Sequence, residues 1–431
     1  MFTVCVIAGC LALGQTGSVP GDSPPDAEQA ALVRRLVREL DAAQKARRDD
    51  AEQQLRTLGP SIVGLLPQAD ERLPAEVQLR VRRLRDEFEQ ARAEASTQAA
   101  HITLDAKRLP LSEVLAALTR QSGNKLVDLR PQFGEAARNE LLSVHFQNTP
   151  FWPALDDVLD RAGLAMQTIS GEPGIALANR SDTQLASSGR ISYAGAFRIE
   201  ATRLTGLRDL RNPSLDVLGL QLEVAWEPRL KPIALFLPGD RIQAVDEDGQ
   251  KLPLSGAGQE LEVNTNNGTY AATLPINFVL PPRGVRRISR LNGWLRAMVP
   301  GRVEDFRFTG LEQAKRTEQR HAGVAVVLDS VHKNNAIWEI SIRVKFEKPG
   351  QALESHRTWV FNNEAWLEAA DGGEKLPYAG METTRQSESE VGVAYLFAPP
   401  EGLAKYTFVY RTPSSIANIT LPFELKDIKL P

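Results

Sequence analysis

The chain contains very little cysteine. Its 431 residues include two, Cys5 and Cys10, and both lie within the first ten positions. The chain after Cys10 therefore has no thiol, which excludes a disulfide framework, a thiolate zinc site and a cysteine nucleophile from the body of the protein.

Long apolar runs and an excess of charge of one sign are also missing. No stretch of about 18 apolar residues follows the N-terminus, so we expect no transmembrane helix in the mature chain. Basic residues are interleaved with acidic ones and the net charge is -3, unlike the basic patch that nucleic acid requires. With 42% hydrophobic and 24% charged residues in 431, the sequence predicts about three or four folded modules.

Patterns for catalysis and cofactor binding are absent as well. Five histidines stand singly, without metal-ligand spacing: His101, His145, His321, His332 and His356. No G-x-S-x-G elbow or phosphate-binding glycine loop occurs, and the acidic residues from Asp240 to Asp248 fit a hairpin better than a calcium loop. The sequence therefore predicts no catalytic residue, metal ligand or cofactor, while a carboxylate pair of the glycosidase type remains open because it forms only in tertiary structure.

The N-terminal segment has the pattern of a secretory signal peptide. Residues 1–14 are mostly apolar or small, and a linker rich in Gly, Ser, Pro and Asp follows, so residues 1–25 are predicted to be signal peptide and linker. Lys and Arg are missing before the apolar stretch, which leaves the translation start open. Ile7-Ala8-Gly9-Cys10 resembles the lipobox of bacterial lipoproteins, so lipidation of Cys10 is one alternative. The others are cleavage near Gly14 and a buried N-terminal strand.

Residues 26–99 are predicted to form a helical arm. Apolar residues recur at helical spacing, and Gly59-Pro60 and Leu73-Pro74 divide the segment into three or four short helices. The run that begins at Ala51, AEQQLRTLGPSIVGLLPQA, resembles one HEAT-like repeat. A stable solenoid needs about three copies, so this resemblance indicates a small cap or arm.

Residues 100–179 contain an internal repeat at an offset of 40 residues. ITLDAKRLPLSEVLAALTRQSG aligns with LSVHFQNTPFWPALDDVLDRAG, so that Pro110 matches Pro150 and Gly123 matches Gly163. Each half predicts a strand, a proline-marked turn, an amphipathic helix that ends at glycine, and a second strand. We therefore expect a small α/β module over 100–180, built from two βαβ-type halves around a sheet of about four strands.

These two motifs resemble the short N-terminal domain of secretins and TonB-dependent signalling receptors, usually called the STN domain. The resemblance covers about eighty residues and rests on the strand ITLDAKRLPL, the helix SEVLAALTRQSG and the ending DRAGL. It implies a module that docks envelope proteins to one another and has no catalytic residue. A secretin pore domain and an outer-membrane barrel pattern are missing from the remaining sequence, so pore formation is not implied.

A second internal repeat organises the remaining sequence, which alternates as β-strands do. AVDEDGQKLPLSG recurs as EAADGGEKLPYAG, with Lys251 matching Lys375 at an offset of 124, and FVLPPRGV recurs as LFAPPEGL at 118. Asp248-Gly249 and Asp371-Gly372 predict hairpin turns. We expect two tandem antiparallel β-sandwiches, over 190–310 and 311–431, for which no family resemblance is evident.

Five of the six tryptophans lie in this β region. Trp226 and Trp338 fall on the apolar face of alternating strands and are predicted to lie in the core. Trp359 and Trp366 flank the polar segment Asn362-Asn363-Glu364, which indicates a loop. We therefore predict that these two are exposed and are the candidate ligand-binding residues.

The sequence thus predicts a multidomain α+β protein that is exported to the periplasm or cell envelope and is not an enzyme. Its predicted function is protein–protein interaction or assembly with an envelope protein, through the free strand edges of the STN-like module. Two alternatives remain: binding of carbohydrate or a surface polymer by the sandwich loops, and a hydrolase with an unrecognised site.

Overall fold

The computed structural model describes residues 27–67, 73–134, 137–167, 174–181, 190–256, 260–265, 268–314, 316–321, 323–346, 357–370, 375–387, 390–400 and 402–431. Helices and antiparallel sheets are both abundant, which confirms the α+β class. The predicted signal peptide, Cys10 with its predicted lipidation, and the predicted Asp371-Gly372 turn lie outside these residues. The chain divides into two compact units: the first ends at Leu66, and the second begins at Pro67.

The first unit contains α1 (Ala27–Glu39), α2 (Lys45–Leu58) and a short 3-10 helix (Pro60–Leu65). Its core consists of side chains at helical spacing, among them Leu36 and Leu55, which are almost inaccessible to solvent. Gly59 ends α2 at a φ of +74°, a conformation that favours glycine. The predicted helices are thus present, while the HEAT-like resemblance stays a prediction.

Residues 100–180 follow the order that the 40-residue repeat predicts. Their elements are β1 (His101–Pro110), α4 (Leu111–Ser122), β2 (Leu126–Asp128), β3 (Leu141–Pro150), α5 (Phe151–Ala162), β4 (Leu164–Gln167) and β5 (Ile175–Asn179). Gly123 and Gly163 end the two helices in the left-handed conformation. Arg108 and Asn148, also 40 residues apart, both have positive φ, at 52° and 49°. The repeat therefore extends to the backbone conformation.

This module has two small sheets where one sheet of about four strands was predicted. β1 pairs with β3 antiparallel, and β5 lies between β2, its parallel neighbour, and β4. The first strands of the two halves thus pair with each other, and the short second strands both pair with β5. β5 has no counterpart in the repeat, so the repeat alone does not reveal the second sheet.

The β region forms three antiparallel sheets in the part of the chain described. Its strands are β6 (Ile191–Ala194), β7 (Phe197–Leu207), β8 (Val217–Trp226), β9 (Ala234–Pro238), β10 (Gln243–Asp246), β11 (Lys251–Leu252), β12 (Glu260–Asn264), β13 (Ala271–Val279), β14 (Arg287–Phe308), β15 (Thr317–His321), β16 (Val324–Asn334), β17 (Ile337–Phe346), β18 (Glu364–Ala369), β19 (Lys375–Pro377), β20 (Gly380–Gln386), β21 (Glu390–Phe397) and β22 (Tyr406–Lys429). The strand orders are β13-β8-β7-β6, β15-β16-β17-β21-β20 and β11-β10-β14-β22-β18-β19, with β9 paired to β14 and β12 to β9.

Two long strands, β14 and β22, pair along almost their whole length. The register runs from Arg287 opposite Lys429 to Phe308 opposite Phe408, with irregularities between Pro300 and Val303. The strand order of this large sheet is symmetrical about the pair, since β10 and β11 lie on one side and β18 and β19 on the other. The two repeated Lys-Leu-Pro motifs thus begin in the strands at its two edges.

Strands β14 and β22 contribute side chains to two hydrophobic cores. In the first, side chains of β7, β8 and β13 pack with Leu291 of β14 and Phe423 and Leu425 of β22. In the second, β16, β17 and β21 pack with Phe306 of β14 and Phe408 of β22. The predicted boundary at residue 311 therefore does not separate the cores, because the C-terminal part of β22 returns to the first. Trp226 is buried in the first core, as predicted.

Helix α3 (Ala75–Ser96) belongs to the second compact unit, although the sequence placed it in the arm at 26–99. It packs on β14 and β22, and its Ala93 is part of the first β core. Within the described segments, no helix is long and apolar enough to cross a membrane.

Candidate functional site

A cavity of about 920 Å³ opens where the 100–180 module meets the β region. Lys125 and Gly174 line it from the module, residues 228–233 after β8 form one wall, and Tyr270 lies beside them. Asp305 of β14, Arg411 of β22 and the segment 362–364 also line it. A volume of this size is typical of small-molecule sites.

The polar segment that the sequence singled out forms part of this wall. Asn363 is buried, and its Nδ2 donates to the hydroxyl oxygens of Tyr410 (2.7 Å) and Thr412 (2.9 Å). Asn362 Nδ2 donates to the Thr265 carbonyl at 3.3 Å. These bonds fix both amides, so the wall presents ordered polar groups.

A charged cluster occupies the same side of the cavity. Arg411 donates to both carboxylate oxygens of Asp305, at 2.6 and 2.9 Å, and to Glu364 at 3.3 Å. Lys231 Nζ lies 2.5 Å from the other oxygen of Glu364. Burial alone would raise the pKa of Glu364, but the hydrogen bond from Lys231 and the nearby cationic charges lower it below its usual value. An ionised, paired carboxylate suits charge recognition better than general-acid catalysis, which needs a raised pKa.

Trp366 is buried, with 6% of its surface exposed, so its predicted exposure is wrong. Ala365, Trp366 and Leu367 are all buried in β18, because both faces of this strand are covered. Lys375 Nζ lies 4.1 Å from the ring centroid, and the Arg411 guanidinium carbon lies 5.0 Å from it. The Trp359 side chain lies outside the described residues, and its binding role stays a prediction.

One buried carboxylate joins three parts of the chain next to the cavity. Glu227, which follows β8, is fully buried and accepts hydrogen bonds from Ala100 N (2.9 Å), Asn124 Nδ2 (2.8 Å) and Arg229 Nε (2.7 Å). Arg229 in turn donates to the Ser96 carbonyl at 3.0 Å and to the Gln98 carbonyl. Glu227 therefore fixes the module against β8 and the end of α3. No local pattern marks it, since Ala100 and Asn124 lie 127 and 103 residues away.

A second buried contact anchors α5 to the β region. Trp152 Nε1 donates to the Ala196 carbonyl at 2.9 Å. Asp156 of α5 accepts from Arg198 Nε at 2.9 Å and from the Tyr193 hydroxyl at 2.6 Å. The α5 side of the module is therefore held in place by the β region.

The β1–β3 sheet of the module has an exposed face. Leu142, Val144 and Phe146 of β3 point to the core, while the alternate side chains are exposed, including half of the Leu141 surface (50%). Gln121 of α4 covers β1 at Thr103, where it bonds both the backbone N–H (2.8 Å) and the carbonyl (3.0 Å). Among the described strands, none but β1 pairs with β3, so one edge of β3 remains without a strand partner.

The acidic residues near Asp246 and the histidine His145 have contacts that are explained by the fold. Asp246 Oδ1 accepts from Asp248 N (3.0 Å) and Gln250 N (2.8 Å), which confirms the predicted hairpin turn. His145 lies 3.4 Å from Asp105 on the exposed face of β3. No cluster of three or more metal-ligating side chains is found where the chain is described.

No family model, curated protein or solved structure matches this chain.

Proposed function

We propose that this protein is a non-enzymatic, exported component of the bacterial envelope that binds a partner protein by strand addition to β3 of its STN-like module. The observation that carries the proposal is the contrast between the two sides of the module. The module is fixed to the β region by Asp156 of α5 and by the Glu227 contacts to Ala100 and Asn124, whereas the outer edge of β3 has no strand partner among the described residues.

Strand addition suits this edge because β3 is ten residues long and its one residue with positive φ, Asn148, lies near its C-terminal end. A partner segment would gain main-chain hydrogen bonds along the strand, and the exposed side chains of Leu141, Ser143 and His145 would contribute specificity. The hydrogen bonds of Gln121 to Thr103 leave β3 rather than β1 as the accessible edge.

The β region would act as a rigid support for this module. In this proposal it is a duplicated pair of β-sandwiches that share the long β14–β22 ladder. The symmetrical strand order and the two internal motif repeats support a duplication. Superposition of residues 251–256 on 375–380 tests it, and unrelated backbone paths there would contradict it.

Export is proposed from the apolar N-terminal segment and the thiol-free body of the chain. Mass spectrometry of the native protein tests this. A mature N-terminus near residue 14 or a diacyl group on Cys10 would support export, and an intact Met1 in a cytosolic fraction would contradict it.

Site-specific photo-crosslinking in the native host tests the docking proposal. Deleting the whole module would be uninformative, because it would expose Ala225 and Tyr270, which pack in the module core. A crosslinker at Ser143 of β3 should give one discrete adduct, and a crosslinker at Ile337 of β17, which is 43% exposed, should give none. Adducts at Ile337 and none at Ser143 would contradict docking at β3 and would indicate that the module is a spacer.

A second candidate function is the binding of a polar ligand, such as a carbohydrate or surface-polymer fragment, in the 920 Å³ cavity. Its support is the ordered amide wall of Asn362 and Asn363 beside the charges of Lys231 and Arg411. Calorimetric titration with envelope oligosaccharides tests it. Binding should weaken in Asn362→Ala but not in Asn418→Ala, a β22 residue that does not line the cavity. Turnover of the titrated sugar would instead favour the hydrolase alternative.

A further inference from the structure

The hairpin between β7 and β8 presents apolar side chains to solvent. Leu210 at its tip is 92% exposed, and Leu207 and Leu215 on its two sides are 58% and 57% exposed. Val279 of β13 is 45% exposed and lies in the same row, since Leu207 pairs with Val217 and Val217 with Val279. Clustered exposed apolar residues of this kind mark interaction sites.

This tip is an ordered turn. Asp209 Oδ1 accepts hydrogen bonds from the backbone N–H groups of Arg211 and Asn212, both at 2.8 Å. Asp216 Oδ1 accepts from Asp209 N at 2.8 Å, and Asn212 caps the short 3-10 helix Pro213–Leu215. The backbone therefore holds Leu210 outward.

Two further segments reach the same end of the β region. A Cβ atom added to Gly206 would lie 3.5 Å from Leu280 Cδ1 and 3.5 Å from Pro431 Cγ. Arg287 pairs with Lys429 across the adjacent sheet, and Leu430 N donates to the Arg286 carbonyl. Residues 206–217, 279–287 and 427–431 thus form one surface, which we name the hairpin pole.

The hairpin pole is basic although the chain as a whole is acidic. Its cationic side chains are exposed: Arg208, Arg211, Arg283, Arg286, Arg287 and Lys429. Its own acids are Asp209, Asp216 and Asp427, and Glu247 bonds to its backbone. The formal charge of these ten groups is +2, against -3 for the chain.

The acids of the hairpin pole are engaged in hydrogen bonds or ion pairs within the protein. Glu247 accepts from the backbone N–H groups of Arg286 and Arg287, and such backbone bonds lower the pKa of Glu247 and of Asp209. Asp216 lies near Arg208, and Asp427 bonds to Arg287. Arg211, Arg283 and Lys429 form no ion pair with described residues, so their charges face solvent.

We propose that the hairpin pole binds an anionic lipid surface. Leu207, Leu210 and Leu215 would enter the boundary between headgroups and acyl chains, and the surrounding arginines would bind lipid phosphates. A projecting leucine ringed by cationic side chains fits a bilayer, whereas a protein partner would need a pocket to receive it. This proposal is independent of the docking at β3.

Vesicle co-sedimentation of the full chain tests the proposal. The protein should bind vesicles that contain phosphatidylglycerol, bind pure phosphatidylcholine at least tenfold more weakly, and dissociate in 0.5 M salt. Leu210→Ser should weaken binding about tenfold or more, because the variant no longer buries this apolar side chain in the bilayer. Arg211→Ala combined with Arg283→Ala should have an effect of similar size.

Ile337→Ser is the matched control, since Ile337 is also an apolar strand residue and is 43% exposed. This variant should bind vesicles as the unaltered chain does. Thermal unfolding should be unchanged in every variant. Absence of vesicle binding, equal binding to neutral vesicles or full binding by Leu210→Ser would each overturn the proposal. If the protein does not bind vesicles but binds a polyglutamate peptide in a manner that depends on Leu210, the surface would be assigned to an acidic protein partner. That result would also overturn the lipid proposal.

Discussion

Arg198 of β7 and Asp156 of α5 form a buried ion pair, with Arg198 Nε 2.9 Å from Asp156 Oδ2. Arg198 is 3% exposed and Asp156 is 6% exposed. Burial opposes the charge on Arg198, but Asp156 and Glu200 outweigh it and raise its pKa above the usual value. This ion pair links the 100–180 module to the β region.

We expect Asp156→Ala to lower the free energy of unfolding by about 3 to 5 kcal/mol, because it leaves the Arg198 charge buried without its main partner. Asp156→Leu combined with Arg198→Met should recover most of this loss. Urea denaturation measures both. Asp157→Ala is the control, since Asp157 forms an exposed pair with Arg161 on the same helix and should change stability by less than about 1 kcal/mol. Equal losses in the two single variants would contradict the interpretation.

Glu227→Ala should destabilise the protein by about 3 to 5 kcal/mol, because it removes the acceptor of three hydrogen bonds and the partner of Arg229. Limited proteolysis should then cut between Ser96 and Ala100, where the chain loses its attachment. Glu223→Gln, within strand β8 four residues before Glu227, is the control. Burial raises the pKa of Glu223, so its neutral analogue should be tolerated. An unchanged proteolysis pattern in Glu227→Ala would contradict the role of Glu227 in fixing the module to β8 and the end of α3.

Two carboxylates should affect the pH dependence of stability in opposite directions. The hydrogen bond from Arg130 lowers the pKa of Asp128, so Asp128 stabilises the fold above its unfolded pKa, and this effect is lost as the pH falls through the folded pKa. Burial raises the pKa of Glu89, so its contribution is present below its unfolded pKa and is lost as the pH rises through the folded pKa.

Thermal unfolding between pH 3 and 8 should separate these two effects. Asp128→Asn should unfold at a lower temperature than the unaltered chain at pH 7, and the difference should shrink in acid. Glu89→Gln should unfold at a higher temperature at pH 7 and should match the unaltered chain in acid. The same sign for both variants at pH 7 would contradict the two assignments.

Gly293→Ala should disrupt the β14–β22 ladder. Gly293 lies opposite Phe423, and an added Cβ would be 2.3 Å from Cζ of that buried ring. We expect a loss of about 1 to 3 kcal/mol from overpacking, which Phe423→Leu should partly relieve in the double variant. Gly284→Ala has open space around it and should be nearly neutral in equilibrium unfolding. A neutral Gly293→Ala would show that the ring moves aside freely.

Local signals were sufficient to predict every element of the 100–180 module except β5. Pro110 and Pro150 precede α4 and α5, and Gly123 and Gly163 end them, as the repeated motifs indicate. The pairing of β1 with β3 and the role of β5 depend on contacts between distant residues, which a single sequence does not reveal.

The candidate site was only partly predictable for the same reason. The segment 362–364 was recognised as polar, and it lines the cavity. Trp366 was misplaced because the polar segment 362–364 indicates a loop, whereas β18 begins at Glu364 and is covered on both faces at Trp366. Glu227, Arg198 and Arg411 were missed because their partners are mostly distant in sequence: Arg411 meets Asp305 106 residues away.

The return of β22 to the first core constrains how the chain folds during synthesis. Phe423, Leu425 and Ile428 complete a core whose other members start to leave the ribosome more than two hundred residues earlier. Until then, the apolar side of β8 and the edge of β14 lack their final cover, and such exposed surfaces and strand edges favour aggregation. We therefore expect a chain that stops near residue 415 to be cut more readily by proteases than the full chain, because its first core would lack these side chains.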